Sequence, residues 1–373
     1  MHPFARALLW ALLSFTCALS QAKDLVVAQL VPLSGPVGVP GSMFAAGAAM
    51  YFDHVNATGG VNGQRIHHVV VDDKYDVATG VSSLETLLSA SEPPVALFTF
   101  GTASTRAVAD DLNRRKLRLP VFPTGTGAAS LRHPFDRNLF HVRASYTAEF
   151  TKLIDILSTT GVRGFAVVYQ DDEFGRDCLA AVQRKLGELG RPAAVAVKHD
   201  RTQQDIAALA DVVVKAKVGA VLMATTPSAT ASFVRQLRLQ TSDLLVASSS
   251  DLDPVALFKD VGQAARGVML SQSLPDPVSP RVPMVGDFLR MADRSGGKVP
   301  KNAYALEGYL QARVLVEGLR RRSSAPSTAL MEALESIRGL DLGGYFISFS
   351  ERSHDGASFV DTAIIADAGH VVR

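Results

Sequence analysis

DLVVAQLVPLSGPVGVPGSMFAAGAAMYFDHVNATGGVNGQRIHHVVVDD, residues 24–73, carries two structural periods in one stretch. Residues 24–31 are a short apolar run rich in Val and Leu, which suits a strand buried on both faces. Residues 41–56 place Phe44, Gly47, Met50, Tyr51 and Val55 at helical spacing, which predicts a helix with one face on a core. Thr58-Gly59-Gly60 and Asn62-Gly63 break the chain, and residues 66–71 return to a β-branched run. Strand, helix, strand in that order is a crossover unit, whose helix brings the second strand back in the direction of the first.

The same alternation continues outward. Helices are predicted over 77–89 and 105–114 and strands over 95–100 and 119–123, completing one doubly wound half. A second series puts helices at 146–160, 175–189, 205–215 and 228–239 and strands at 165–169, 193–198, 220–223 and 244–247. A further strand at 267–270 is followed by a Pro-rich stretch, 275–283, then helical windows at 284–294, 304–322 and 327–338 and β-like segments at 345–349 and 362–366. The predicted class is α/β, with two doubly wound parallel sheets and therefore two lobes. There is no low-complexity segment and no short-period repeat.

Composition narrows the function classes. Arg6, the apolar or small run 7–19 and Ser20-Gln21-Ala22 read as a cleaved signal peptide, residues 1–22. The apolar run is too short for the roughly 20 residues a spanning helix needs. Cys17 lacks the Leu-like and small residues that lipidation requires before it, and every later apolar stretch is broken by charge, Gly or Pro, so no membrane anchor is expected. Once residues 1–22 are removed, Cys178 stands alone and no internal disulfide can form. Lys+Arg of 38 against Asp+Glu of 36 leaves no basic stripe, and Arg320-Arg321-Arg322 reads as a solvated helix end, so nucleic acid is not expected as a partner.

Catalytic and metal chemistry find little support. His67 and His68 are neighbours on a strand and point to opposite faces. No His-x-x-x-His, Cys-x-x-Cys or Gly-x-Ser-x-Gly pattern occurs. Asp171-Asp172-Glu173 reads as a solvated loop, and Cys178 as a buried small side chain within a helix. Neither a catalytic residue, a metal nor a cofactor is expected.

As an ensemble, residues 27–41 (VAQLVPLSGPVGVPG), 56–63 (NATGGVNG), Asp72-Asp73 with Asp76, 102–110 (TASTRAVAD) and 169–175 (YQDDEFG) resemble the branched-chain amino-acid-binding proteins of ABC transporters. The likeness runs in blocks from about residue 24 to 370. It implies a type I periplasmic-binding fold with a three-stranded hinge, crossing between lobes near Arg143, Ser271 and Ser350. The N-lobe is then expected at 24–142 plus 272–348 and the C-lobe at 143–271 plus 349–373. It further implies a periplasmic protein that closes on an amino acid or analogue and delivers it to an ABC permease in the inner membrane. Two other readings stay open: a ligand-sensing periplasmic receptor subunit of the same fold, and an amidase-type enzyme, for which no convincing nucleophile or carboxylate pair is found.

A zwitterion entering a closed cleft loses water at both ends, so each charge needs fixed partners. Gly101-Thr102-Ala103-Ser104, between a strand and a helix, offers free N–H groups to a carboxylate. By resemblance Thr102 takes the family's carboxylate-binding serine position, with Ala103 beside it; the plainer reading of Thr102 is a helix cap. The resemblance gives the Thr124 carbonyl to the ammonium and Thr126 to both charged groups, where the residues alone read as a Gly-containing turn. The family's ammonium-binding glutamate falls on Ser250 or Asp251, of which Asp251 is chemically suited; Glu307 is the alternative acid. Tyr146, Phe174 and Tyr304 align near wall positions, though aromatics more often pack a core. Pro40 replaces an aromatic, Thr226 replaces a tyrosine, and Tyr75 and Gly101 stand where the family's disulfide cysteines would be. These departures leave the ligand open among amino acids, amides and aromatic acids.

Overall fold

A computed structural model of the chain describes residues 23–373 except 202–205, 207 and 323–327. The expected signal peptide, 1–22, lies outside the described residues, as do residues 205, 207 and 327 at the starts of two expected helices.

The first sheet holds β1 (Leu25–Val31), β2 (Ile66–Asp72), β3 (Ala96–Phe100) and β4 (Val121–Thr124) in the order β2-β1-β3-β4, all parallel. Every residue of β1 is buried, as a strand covered on both faces requires. The connecting helices are α1 (Gly38–Ala57), α2 (Val77–Leu88) and α3 (Thr102–Arg114). Two of them begin three residues before the expected starts. Pro40 falls in the first turn of α1, where a missing N–H leaves no helical bond unmade. Gly101, at φ 73°, turns β3 directly into α3, so Thr102-Ala103-Ser104 form helix and not loop.

The second sheet begins with β5 (Phe165–Gln170), β6 (Val195–His199), β7 (Ala220–Ala224), β8 (Leu245–Ser248) and β9 (Met269–Gln272), joined by α5 (Glu173–Glu188), α6 (Ala208–Lys215), α7 (Pro227–Arg238) and α8 (Pro254–Val261) after the entry helix α4 (Tyr146–Thr159). α8 was not expected from the sequence. Its signal was local: Asp253 caps it, accepting the Ala256 N–H at 2.7 Å, and Pro254 occupies the first turn.

The chain then returns to the first sheet with α9 (Pro283–Arg294), α10 (Ala303–Arg321), α11 (Thr328–Glu335) and a two-stranded ribbon, β10 (Leu340–Asp341) with β11 (Phe346–Ile347). It ends with β12 (Asp361–Ile365) and β13 (Val371–Val372), which complete the order β13-β12-β9-β8-β7-β5-β6. β12 runs antiparallel to β9, so the second sheet is mixed and not wholly parallel. The element directly before it is the ribbon strand β11.

One core packs α1, α9, α10 and α11 around β1, β3 and β4. α1 and α10 touch backbone to backbone: a Cβ on Gly47 would lie 1.9 Å from the Ala305 carbonyl oxygen, and one on Gly308 2.0 Å from that of Phe44. A second cluster is shared by both sheets, joining Leu30, Leu97 and Leu112 to Phe165, Phe174 and Cys178. The three connecting segments are knitted together. The Tyr345 hydroxyl donates to the carbonyls of Val142 at 2.9 Å and Ser273 at 3.3 Å. The His141 N–H donates to the His354 carbonyl at 2.9 Å, and the Gly356 N–H to that of His141 at 2.8 Å.

Candidate ligand-binding site

The site begins where β3 becomes α3. Thr102 opens the helix, and its hydroxyl lies 2.8 Å from that of Thr126, so the two residues singled out on separate loops form one buried pair. Thr126 also accepts the Ala128 N–H at 3.3 Å. Thr124 looks the other way. Its hydroxyl donates to Gln311 at 2.8 Å inside the core, and its carbonyl accepts the Gly101 N–H at 3.0 Å.

A cavity partly continuous with solvent opens beside this pair. Of the ten residues proposed from sequence, Thr102, Tyr146, Phe174, Thr226, Asp251 and Tyr304 line it. Ala103, Thr124, Thr126 and Glu307 do not. Thr126 stands behind Thr102, and Glu307 is held by the Gly125 N–H at 3.0 Å. The sequence reading missed Phe44, Phe100 and Tyr75, which with Tyr304 form a chain of rings, edge-on from Tyr75 to Phe100 at 5.9 Å and from Phe100 to Phe44 at 5.7 Å and tilted from Phe44 to Tyr304 at 5.3 Å. Helical spacing assigned Phe44 to a core face, which it also occupies, and no pattern distinguishes a wall from a core.

Each wall residue is positioned by local chemistry. Thr226 caps α7, accepting the Ala229 N–H at 3.4 Å. Asp172 caps α5 by accepting the Gly175 N–H at 3.1 Å, which sets Phe174 in the first turn facing Tyr146, with ring centroids 5.3 Å apart. Asp171 pairs with Arg176 and Lys198 and Glu173 with Arg106, so the acidic run 171–173 serves caps and ion pairs. Tyr304 donates to the Asp251 carbonyl at 2.8 Å and accepts the Asp253 N–H at 3.1 Å.

Asp251 and Glu307 belong to one electrostatic cluster. Arg143, 1% exposed, donates to Glu149 at 2.9 Å, to Asp251 at 2.9 Å and to Glu307 at 3.4 Å. Glu149 also accepts from the Ser250 N–H at 2.8 Å and the Ser271 hydroxyl at 2.6 Å. Burial pushes the Glu307 carboxyl up to about 6, against the pull of Arg143, and moves Asp251 upward for the same reason. Burial works against the Arg143 charge, but Glu307, Asp251 and Glu149 together hold its pKa well above the usual guanidinium range. Arg143 was marked in the sequence only as a crossing point, and Glu149 not at all. The available signal was a polar pair in the apolar stretch LFHVRASYTAEF, 139–150.

Cys178 is fully buried in α5, and burial pushes its thiol well above the ordinary value, so it holds no thiolate at neutral pH. No helix among the described residues is long and apolar enough to cross a membrane.

Two α/β units joined by three adjacent segments, with a cavity lined from both, define a solute-binding protein of the bilobal kind. The chain belongs to the periplasmic binding protein family, whose model matches residues 24–364. It is 24% identical over 355 residues to the Leu/Ile/Val-binding protein homolog 7 of Brucella abortus, covering 90% of this chain and 87% of that one. It is 21% identical over 325 residues to the leucine-, isoleucine-, valine-, threonine- and alanine-binding protein of Pseudomonas aeruginosa, covering 85% and 84%. Among solved structures it is similar to a substrate-binding periplasmic protein from Ralstonia solanacearum, with 32% identity, a TM-score of 0.87 and coverage of 94% of this chain and 99% of that one. The fold is the type I periplasmic-binding fold, and the family is one of substrate-binding proteins and not of enzymes.

Proposed function

We propose that this protein is the exported, soluble component of an ABC importer, which holds an amino acid or a close analogue in the cavity between its lobes and presents the closed form to an inner-membrane permease. The lobes of this reading are 24–142 plus 272–348 and 143–271 plus 349–373, moving about the segments knitted by Tyr345, His141 and Gly356. The signal peptide at 1–22 accounts for export to the periplasm.

The observation that carries the reading is a charge imbalance beside an anion cradle. Thr102 at the N-terminus of α3 faces the cavity and suits a carboxylate, through free N–H groups and the helix dipole. On the same cavity, Asp251 belongs to a cluster of three carboxylates and one guanidinium. Burying excess negative charge is costly, and a ligand ammonium at Asp251 relieves it. Asp251 is therefore the acid assigned to the ammonium, since Glu307 is turned to Gly125 and does not line the cavity. Thr124 serves only by supporting Gly101 and the core.

The relatives bind, by their names, leucine, isoleucine, valine, threonine and alanine, and the aromatic wall here suits an apolar side chain. Thermal-shift screening of L-amino acids, their amides and aromatic acids tests the reading. A ligand at a hundred times its dissociation constant stabilises by about 2.7 kcal/mol and raises the melting temperature visibly. Stabilisation by uncharged sugars and by no amino acid or analogue overturns it.

A further inference from the structure

Tyr75 borders two spaces at once. It lines the inner cavity and also a larger groove outside it, lined further by Lys74, Asp76, Arg201 and Thr226. Its backbone is unusual. Lys74 and Tyr75 have φ of 55° and 57°, the only adjacent non-glycine pair with positive φ among the described residues. L-residues disfavour this region, so the conformation persists because its surroundings fix it. Asp72 accepts the Lys74 N–H and Asp73 the Tyr75 N–H, each at 2.9 Å, and Asp72 is itself tied to the Leu33 N–H at 2.9 Å and the Ser34 hydroxyl at 2.8 Å.

The strained turn delivers the ring to the cavity mouth. It meets Phe100 edge-on, and it lies so close over Gly101 that a Cβ there would stand 3.0 Å from Tyr75 Cε2. The guanidinium of Arg201, which follows β6 in the second sheet, sits 4.9 Å above the ring centroid. Burial pushes the phenol up to about 12, so the ring stays neutral at ordinary pH.

We propose that Tyr75 is the cap of the ligand cavity: its ring limits the length of the ligand side chain and, clamped from the opposite lobe by Arg201, slows ligand escape. The proposal rests on the reading of this cavity as the ligand site. The Arg201 contact crosses between the lobes and is lost when the cleft opens, whereas the Phe100 contact lies within one lobe, so Arg201 holds the cap shut only in the closed form.

The test uses the mature chain and a panel of the twenty L-amino acids, their amides and aromatic acids, with dissociation followed by stopped flow for those that bind. Tyr75→Ala is expected to speed dissociation by about tenfold or more and to shift the rank order toward longer side chains. Tyr75→Phe keeps both near the parent, and Arg201→Ala speeds dissociation while leaving the rank order unchanged. Unchanged dissociation and rank order in Tyr75→Ala overturn the proposal. If no member of the panel binds the parent chain, the amino-acid reading fails, and the cap is judged separately with 1-anilinonaphthalene-8-sulfonate. Several-fold brighter emission with Tyr75→Ala than with the parent or Tyr75→Phe supports the cap; equal emission overturns it.

Discussion

A single guanidinium, that of Arg143, faces the carboxylates of Glu149, Asp251 and Glu307, so this cluster holds more buried negative charge than positive. Glu307 expresses this as a proton affinity raised by burial from 4.5 to about 6. A carboxyl whose folded pKa lies above its unfolded one binds its proton more tightly in the folded state. Its stabilising contribution is complete below pH 4.5 and is lost as pH rises through 6. Asp251, shifted in the same direction, adds to the loss. Urea unfolding of the ligand-free protein is expected to show stability falling across this window by on the order of 2 kcal/mol relative to Glu307→Gln, which has no proton to lose. Parallel pH profiles for parent and variant contradict the assignment. Little of this was readable from the sequence. Asp251 and Glu307 were picked out as acids, but a buried Arg and its partners are joined by folding over more than a hundred positions, from Arg143 to Asp251 and Glu307, which no local pattern encodes.

At the scale of elements, the closest constraint is the crossing of α1 and α10, where Gly47 and Gly308 let the two backbones meet. Both helices carry cavity residues, Phe44 and Tyr304, so the crossing sets the width of the aromatic wall. Ala is a better helix former than Gly by about 1 kcal/mol, so propensity alone favours Gly308→Ala. Sterics oppose it: the new Cβ would stand 2.0 Å from a carbonyl oxygen of the partner helix, which cannot turn aside as a side chain can. Overpacking costs about 1–3 kcal/mol or more, and it wins. Gly308→Ala is expected to lower the unfolding free energy by about 2 kcal/mol, while Gly187→Ala on α5, with nothing within 4 Å of the added carbon, is neutral or slightly stabilising. Equal effects of the two substitutions on urea midpoints contradict the close-crossing account. The alternation of strands and helices was legible throughout, because buried strands and amphipathic helices leave short-range periods. The partner of each helix was not. Periodicity identified the apolar face of α1, but only the fold says that it meets α10, some 260 positions later.

At the scale of the whole molecule, the proposed closure would draw on contacts that cross between the two sheets. Asp177 on α5 accepts the N–H of Ala129 at 2.8 Å and of Ser130 at 3.1 Å, and Glu173 accepts from Arg106 at 3.2 Å and the Ser130 hydroxyl at 3.1 Å. The Arg106–Glu173 pair is more than a quarter exposed on both sides, so solvent screening leaves it worth little alone. Asp177 contributes more, because its two bonds satisfy backbone N–H groups that would otherwise lose partners in the closed form. A ligand can shift the equilibrium only by binding the closed form better, and moving it from 1:99 to 99:1 takes about 5.5 kcal/mol of preference. Weakening the closed form by about 1.4 kcal/mol through Glu173→Ala with Asp177→Ala should therefore weaken apparent affinity about tenfold, with the amplitude of ligand-driven compaction in solution scattering unchanged or larger. Neither substitution touches Thr102 or Asp251, so the closed-state contacts of a bound ligand are kept. Should affinity and scattering both match the parent, these bonds persist through the opening motion, and closure is carried instead by the ligand cavity and by the Tyr75 ring clamped beneath Arg201.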